Sequence, residues 1–166
     1  MCGDTIKGGL STPEDYGKFA EWCVKERGYK AVKLHGWMPP IEGAPDSKKD
    51  IMACAAVREA VGDDIPLMLD SYHFYSRLEA LWIGKELEKL NFYWFEEPMD
   101  ESSMSSYKWL SDQLDIPVIG PETMTGKIST RAEWIKNDVV DILRGGVGDL
   151  GGLTPLMKVA HLAESY

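Results

Sequence analysis

Pro66-Leu67-Met68-Leu69-Asp70 is a short apolar run that ends on a carboxylate. Two later runs have the same form: Phe92-Tyr93-Trp94-Phe95-Glu96, and Pro117-Val118-Ile119-Gly120-Pro121-Glu122. Asp70 precedes Glu96 by 26 residues, and Glu96 precedes Glu122 by 26 again. One strand, one helix and two loops of a parallel α/β array take about that length. The spacing therefore predicts three adjacent strands carrying Asp70, Glu96 and Glu122 at equal heights, at their C-terminal ends. Three carboxylates converging there would make a hard, oxygen-only site for a divalent cation, and Mg2+ suits such donors best.

The same alternation extends in both directions. Thr12-Pro13-Glu14-Asp15 is a helix start: a capping hydroxyl, proline in the first turn, then acids near the positive end. That helix runs to about residue 27, where Gly28 ends it. A strand follows over about 29–35, then a proline-bearing loop to 46, then a helix over 47–61 closed by Gly62. Helices over about 76–90, 103–113 and 129–137 follow the three acidic strands in turn. A last strand over 140–144 precedes Gly151-Gly152-Leu153-Thr154-Pro155, which opens a final helix. Strict alternation implies a parallel sheet. Five strands fit an open doubly wound sheet or part of an eight-stranded barrel. The regular spacing, with polar residues at many consecutive strand ends, favours an incomplete (β/α) barrel of the TIM type. A doubly wound sheet would gather them at one switch point. Gly145-Gly146-Val147-Gly148 lacks the spacing of a nucleotide loop and reads as a close backbone turn.

The chain has 166 residues, 44% hydrophobic and 27% charged, which suits one domain with a real core, residues 1–166. Its 27 acidic against 18 basic residues give a net charge of −9, which argues against nucleic acid or an anionic membrane as partner. No apolar run approaches the roughly 20 residues of a membrane span, and the first residues lack a signal-peptide core. Cys2, Cys23 and Cys54 are an odd, unpaired set, which suggests reduced thiols and a cytoplasmic setting. Cys23 and Cys54 fall in helical patterns and read as small core residues. The chain opens in a loop and stops inside a helical pattern, so it reads as a piece of a longer protein.

Lys33-Leu34-His35 closes the first strand. Residues two apart share a face, so Lys33 and His35 point inward together, with Leu34 on the helix side. A lysine beside a metal and a second basic group is pushed towards its neutral form, and histidine is already poised near neutral pH. Both are candidates for moving a proton. Tyr72 and His73, directly after Asp70, are candidates for lining a substrate pocket. Arg144, at the end of the last strand, is a candidate for holding a substrate carboxylate or hydroxyl. Trp37 and the prolines after it are a candidate lid. Trp22, Trp82, Trp109 and Trp134 read as helix-to-barrel packing, and His161 as an ordinary helix residue.

Taken in order, Lys33-Leu34-His35, Asp70, Trp94-Phe95-Glu96-Glu97-Pro98, Gly120-Pro121-Glu122 and Gly151-Gly152-Leu153-Thr154 resemble the barrel domain of the enolase superfamily. More narrowly, they are similar to its mandelate racemase and sugar-acid dehydratase branch. The resemblance implies a modified (β/α) barrel, with an α+β cap domain at the N-terminal side and closing strands, both absent here. It implies removal of the proton α to a carboxylate, with Mg2+ stabilising the enediolate that forms. By position the ligands are Asp70, Glu96 and Glu122. Glu97 points to the other side of its strand and reads as one partner of a salt bridge. Two positions depart from the branch. His35 stands where a second lysine is usual, which makes it the main proton carrier with Lys33 assisting. Gly146 stands where an aspartate is usual, so the acid–base dyad built on that residue is missing.

The reading that follows is a Mg2+-dependent lyase that eliminates water from a sugar acid, homo-oligomeric at full length. An isomerase, cycloisomerase or racemase using the same first step is the alternative in chemistry. A non-catalytic barrel fragment is the alternative in kind, and the isolated chain is expected to be weakly active or inactive.

Overall fold

The computed structural model describes residues 10–36, 42–124 and 126–166. Helix α1 (Pro13–Lys25) starts as its cap dictates: the Thr12 hydroxyl accepts from the Asp15 N–H, and the Asp15 carboxylate accepts from the Thr12 N–H. Strand β1 is Val32–His35, and α2 (Ser47–Val61) is capped by the Asp46 side chain. Strand β2 (Leu67–Asp70) leads to α3 (Arg77–Lys89), which opens on a second reciprocal cap between Ser76 and Glu79. Then come β3 (Trp94–Glu96), α4 (Met104–Ser111), β4 (Val118–Gly120) and α5 (Lys127–Lys136). Strand β5 (Ile142–Leu143), the one-turn helix α6 (Val147–Leu150) and α7 (Leu153–Ala163) complete the described chain.

The strands are shorter than their apolar runs. At three of the five, residues at or just before the start of the run close the preceding helix: Tyr29 N–H bonds the Cys23 carbonyl, Phe92 N–H that of Leu87, and Val139 N–H that of Trp134. Helix α6 was not foreseen, because a single turn within a glycine-rich stretch has no periodicity to read.

All five strands are parallel and lie in the order β1-β2-β3-β4-β5. The order never reverses, so there is no switch point, and the array is a stretch of TIM-type barrel wall. Leu34, Leu69, Phe95 and Val118 stand side by side in register and all are buried. They share one core with Val57 of α2, Ile83 and Leu87 of α3, Leu110 of α4 and Trp134 of α5. That core therefore lies on the helix side of the sheet. The opposite face carries the row Lys33, Met68, Trp94, which leaves the polar strand ends on the side a closed barrel would enclose. Helices α1 and α2 approach closely because position 17 is glycine: a Cβ there would lie 2.9 Å from the Ala56 carbonyl oxygen.

Cys23 and Cys54 are buried as expected, and Cys2 lies outside the described residues. Trp134 is buried edge-on against Tyr107, with ring centroids 4.9 Å apart. Trp22 and Trp82 correct the packing expectation, being 45% and 40% exposed. On α1 the buried stripe is Tyr16, Gly17, Ala20 and Cys23, which leaves Trp22 to stack on Phe19 and carry Arg27 over its ring. His161 is exposed. No helix among the described residues is long and apolar enough to cross a membrane.

Candidate active site

Parallel pairing places Asp70 directly opposite His35 on one side and Glu96 on the other. The equal spacing of the acids is thus realised for the first pair. It is not realised for the second: Glu96 pairs with Ile119, so Glu122 stands three residues past the equivalent position, beyond the end of β4. The 26-residue interval includes a loop whose length the sequence does not reveal, and that loop slides Glu122 off the predicted height.

Two cations fill the space between the three acids. Lys33 Nζ is 2.9 Å from Asp70 Oδ2 and 2.8 Å from Glu96 Oε2. Arg144 Nε is 3.1 Å from Glu96 Oε1, while its terminal nitrogen contacts both Glu97, at 2.9 Å, and Glu122. The result is one continuous chain of alternating charge across β1, β2, β3 and the residues after β4 and β5. Trp94 donates its indole N–H to Glu96 Oε2 at 3.1 Å. Asp70 and Glu96 are buried, so these contacts are what make their charges tolerable. As placed, no three His, Cys, Asp or Glu side chains among the described residues stand close enough to share an ion. The donor set nonetheless fits a dication. Asp70 and Glu96, at the ends of β2 and β3, and Glu122, in the segment after β4, are oxygen donors, and Lys33 and Arg144 hold between them the two positive charges that one Mg2+ would bring.

Lys33 departs from expectation. Burial opposes its charge, but hydrogen bonds to Glu96 and Asp70 and their negative charges outweigh that, so its pKa is raised. In this arrangement it is held as the ammonium. His35 does share the inward face: its Nε2 is 3.9 Å from Asp70 Oδ1, while its Nδ1 is buried with no hydrogen-bond partner. It is therefore the less committed of the two bases.

Tyr72 and His73 follow on a turn where both take positive φ, 51° and 55°. For residues with a Cβ this conformation is strained, and such strain clusters at working sites. The Tyr72 ring lies 5.6 Å from that of His35 and 4.4 Å from that of His73, and the Tyr72 N–H donates to Asp70 Oδ1. Both therefore border the charged cluster. A cavity of about 290 Å³, lined by His73, Asp100, Glu101, Ser102, Thr123 and Met124, opens next to them. A larger cavity, about 610 Å³, lies at the opposite ends of the strands, around Pro66, Tyr93 and Pro117. The proton-transfer candidates are all at the C-terminal ends, where barrel chemistry is built, so the smaller cavity is the relevant one. Arg144 reaches the cluster as a partner of three carboxylates. Trp37 lies outside the described residues.

Glu97 is fully buried. The salt bridge expected of it exists, with Arg144, but the side chain is not turned away. It takes φ 48°, so strand alternation ends at Glu96 and Glu97 joins the same cluster. Burial pushes its carboxyl up to about 8, with the charges of Glu101, Asp70 and Glu96 adding to this and Arg144 opposing it. Its Oε2 has no hydrogen-bond partner and lies 3.7 Å from His73 Nδ1. Sequence reasoning missed Trp94 as a site residue, although it stands two positions before Glu96 and so shares its face. It also missed Glu101 and Arg131, which act through the backbone after β4. Of the other acids near the missing dyad position, Asp141 is engaged elsewhere, accepting from Ser111 and from the Val118 N–H. Asp149 lies over Gly146, where a Cβ would collide with its carboxylate.

Comparisons with known proteins show the family and the fold. A family model described as enolase C-terminal domain-like matches residues 15–166. The solved D-glucarate dehydratase of Agrobacterium tumefaciens, complexed with magnesium, superposes with a TM-score of 0.94 at 66% identity, over 99% of this chain and 43% of that one. The L-talarate/galactarate dehydratase of Salmonella typhimurium is 30% identical over 166 residues, which is 100% of this chain and 40% of that protein. The D-galactarolactone cycloisomerase of Agrobacterium fabrum is 35% identical over 121 residues, 72% of this chain and 31% of that protein. The chain thus spans well under half the length of each of these relatives.

Proposed function

Since this chain belongs to the enolase C-terminal domain-like family, we propose that it supplies the metal-binding and proton-transfer residues of a Mg2+-dependent sugar-acid dehydratase. The observation that carries the reading is the register of Asp70 against Glu96, with Glu122 tied to Glu96 through one arginine. Asp70, Glu96 and Glu122 would hold the ion. Bound there, Mg2+ would neutralise the charge that builds on the substrate carboxylate as its α-proton leaves.

The remaining work falls to the chain itself. His35 takes the α-proton from the β1 side, and Lys33 holds positive charge beside it. The C–H electron pair becomes the new C=C bond while the β C–O bond breaks. The leaving hydroxyl takes a proton and departs as water. With glycine at 146, the protonated His35 is the donor in place for that second transfer. Tyr72 and His73 border the space where the sugar chain would lie. Among relatives, a D-glucarate dehydratase shares 66% identity, so a six-carbon diacid is the first substrate to try. Cycloisomerisation is the second reading: glycine at 146 removes an acid that a dehydration could use, and a cycloisomerase is among the relatives.

The test is to incubate the full-length protein with D-glucarate and galactarate, with Mg2+ and with EDTA, and to read product mass. Loss of one water only in the presence of Mg2+ supports dehydration. An isomer of unchanged mass supports the second reading. No Mg2+-dependent conversion of any sugar acid contradicts both.

A further inference from the structure

Glu122 sits past the last hydrogen-bonded residue of its strand, so nothing in the sheet ladder fixes it. Yet residues 121–124 have nearly all their backbone groups engaged, and two buried side chains of opposite charge engage them. Glu101, in the turn between β3 and α4, is 4% exposed. Its Oε1 accepts from the Glu122 N–H. Its Oε2 accepts from the N–H groups of Thr123 and Met124, both at 2.8 Å, and from the Thr123 hydroxyl at 2.9 Å. Arg131, on α5, is 0% exposed. It donates to the carbonyls of Pro121 at 3.0 Å, Glu122 at 2.7 Å and Met124 at 2.8 Å. Three successive amides thus surround one carboxylate, and three carbonyls of the same segment face one guanidinium.

Charge-assisted bonds of this kind are short and about twice as strong as neutral ones. Two buried ions cost desolvation energy that a neutral turn would not. A loop with only a connecting role has no need of them. This loop carries the one candidate ligand that the strand register fails to place. We propose that Glu101 and Arg131 are the positioning residues of Glu122, fixing its backbone so that its carboxylate meets the ion shared with Asp70 and Glu96. The proposal rests on the reading of Glu122 as a metal ligand given above.

The test measures Mg2+ binding by titration calorimetry on the full-length protein, without substrate, together with amide hydrogen exchange at residues 122–124. Glu101→Gln leaves one oxygen where two are used, and Arg131→Lys loses the planar fork. Each is expected to weaken Mg2+ binding by about 10–100-fold, as loss of a metal site's supporting bonds does, and to speed exchange in that segment. Turnover should recover as Mg2+ is raised, which a general loss of folding would not allow. Thr123→Val removes only the exposed hydroxyl contact, so it remains testable if the buried variants fail to fold; about a 2–5-fold loss is expected. Glu122→Gln is the control for the underlying reading. If Glu122→Gln weakens Mg2+ binding while the Glu101, Arg131 and Thr123 variants bind as wild type, the positioning role is overturned alone. If Glu122→Gln also binds as wild type, the ligand reading falls and the positioning role falls with it.

Discussion

His35 and Lys33 leave the same face of one strand, but their environments differ. Lys33 is committed to two carboxylates. His35 keeps one ring nitrogen buried and unpartnered, and the other 3.9 Å from Asp70. We propose His35 for the first proton transfer, since it also stands nearer the C-terminal end of β1, directly opposite Asp70. In the full-length protein, His35→Asn should lower turnover by about 10²–10⁴-fold, the usual cost of removing a positioned acid or base. Exchange of the substrate α-proton with deuterated solvent should fall with it. If exchange and turnover both persist near wild-type rates, the base is another residue. At this scale the sequence was informative wherever alternation along a strand decides direction, as for Lys33, Leu34 and His35. It misled at Glu97, because alternation stops where the backbone turns to positive φ, and nothing in Glu96-Glu97-Pro98 announces that turn. It was silent on Glu101 and Arg131, whose partners are backbone groups about 20 and 10 residues away.

Elements were legible where their ends carry local chemistry. The caps at Thr12 and Ser76 are hydrogen bonds made within four residues, so residue type alone predicts them. Register between strands is a non-local property. The 26-residue period predicted it for β2 with β3 and failed for β3 with β4, where the pairing partner of Glu96 is Ile119. What fastens neighbouring units is also non-local. Arg58, near the end of α2, donates to the carbonyls of Gly62, Ile65, Leu90 and Asn91. One guanidinium so ties the end of α2 to the start of β2 and to the turn between α3 and β3. Arg58→Met keeps the aliphatic stem and strips these carbonyls of their donor. We expect a loss on the order of 2–3 kcal/mol, read as a lowered midpoint in urea unfolding. Mg2+ affinity should stay unchanged, because Arg58 stands at the N-terminal ends of the strands, away from the acids. A wild-type unfolding midpoint would show that water replaces the guanidinium at no cost.

Over the whole molecule, five parallel strands in sequential order place proton-transfer and metal-binding candidates from consecutive strands at one end of the sheet. The alternating pattern of helices and strands made that architecture readable, because it needs only period and length. The cluster's charge balance was not readable: three acids implied one dication, whereas Lys33 and Arg144 lie among them. For the three acids to share an ion, these two side chains must give way to it. A crystal structure of the full-length protein grown with Mg2+ measures this most directly. The predicted result is a single ion with one oxygen each of Asp70, Glu96 and Glu122 within about 2.0–2.1 Å, and with the Lys33 and Arg144 bridges between those acids opened. An ion coordinated without one of the three, or saturating Mg2+ that leaves both bridges closed and the acids without a metal, would contradict it.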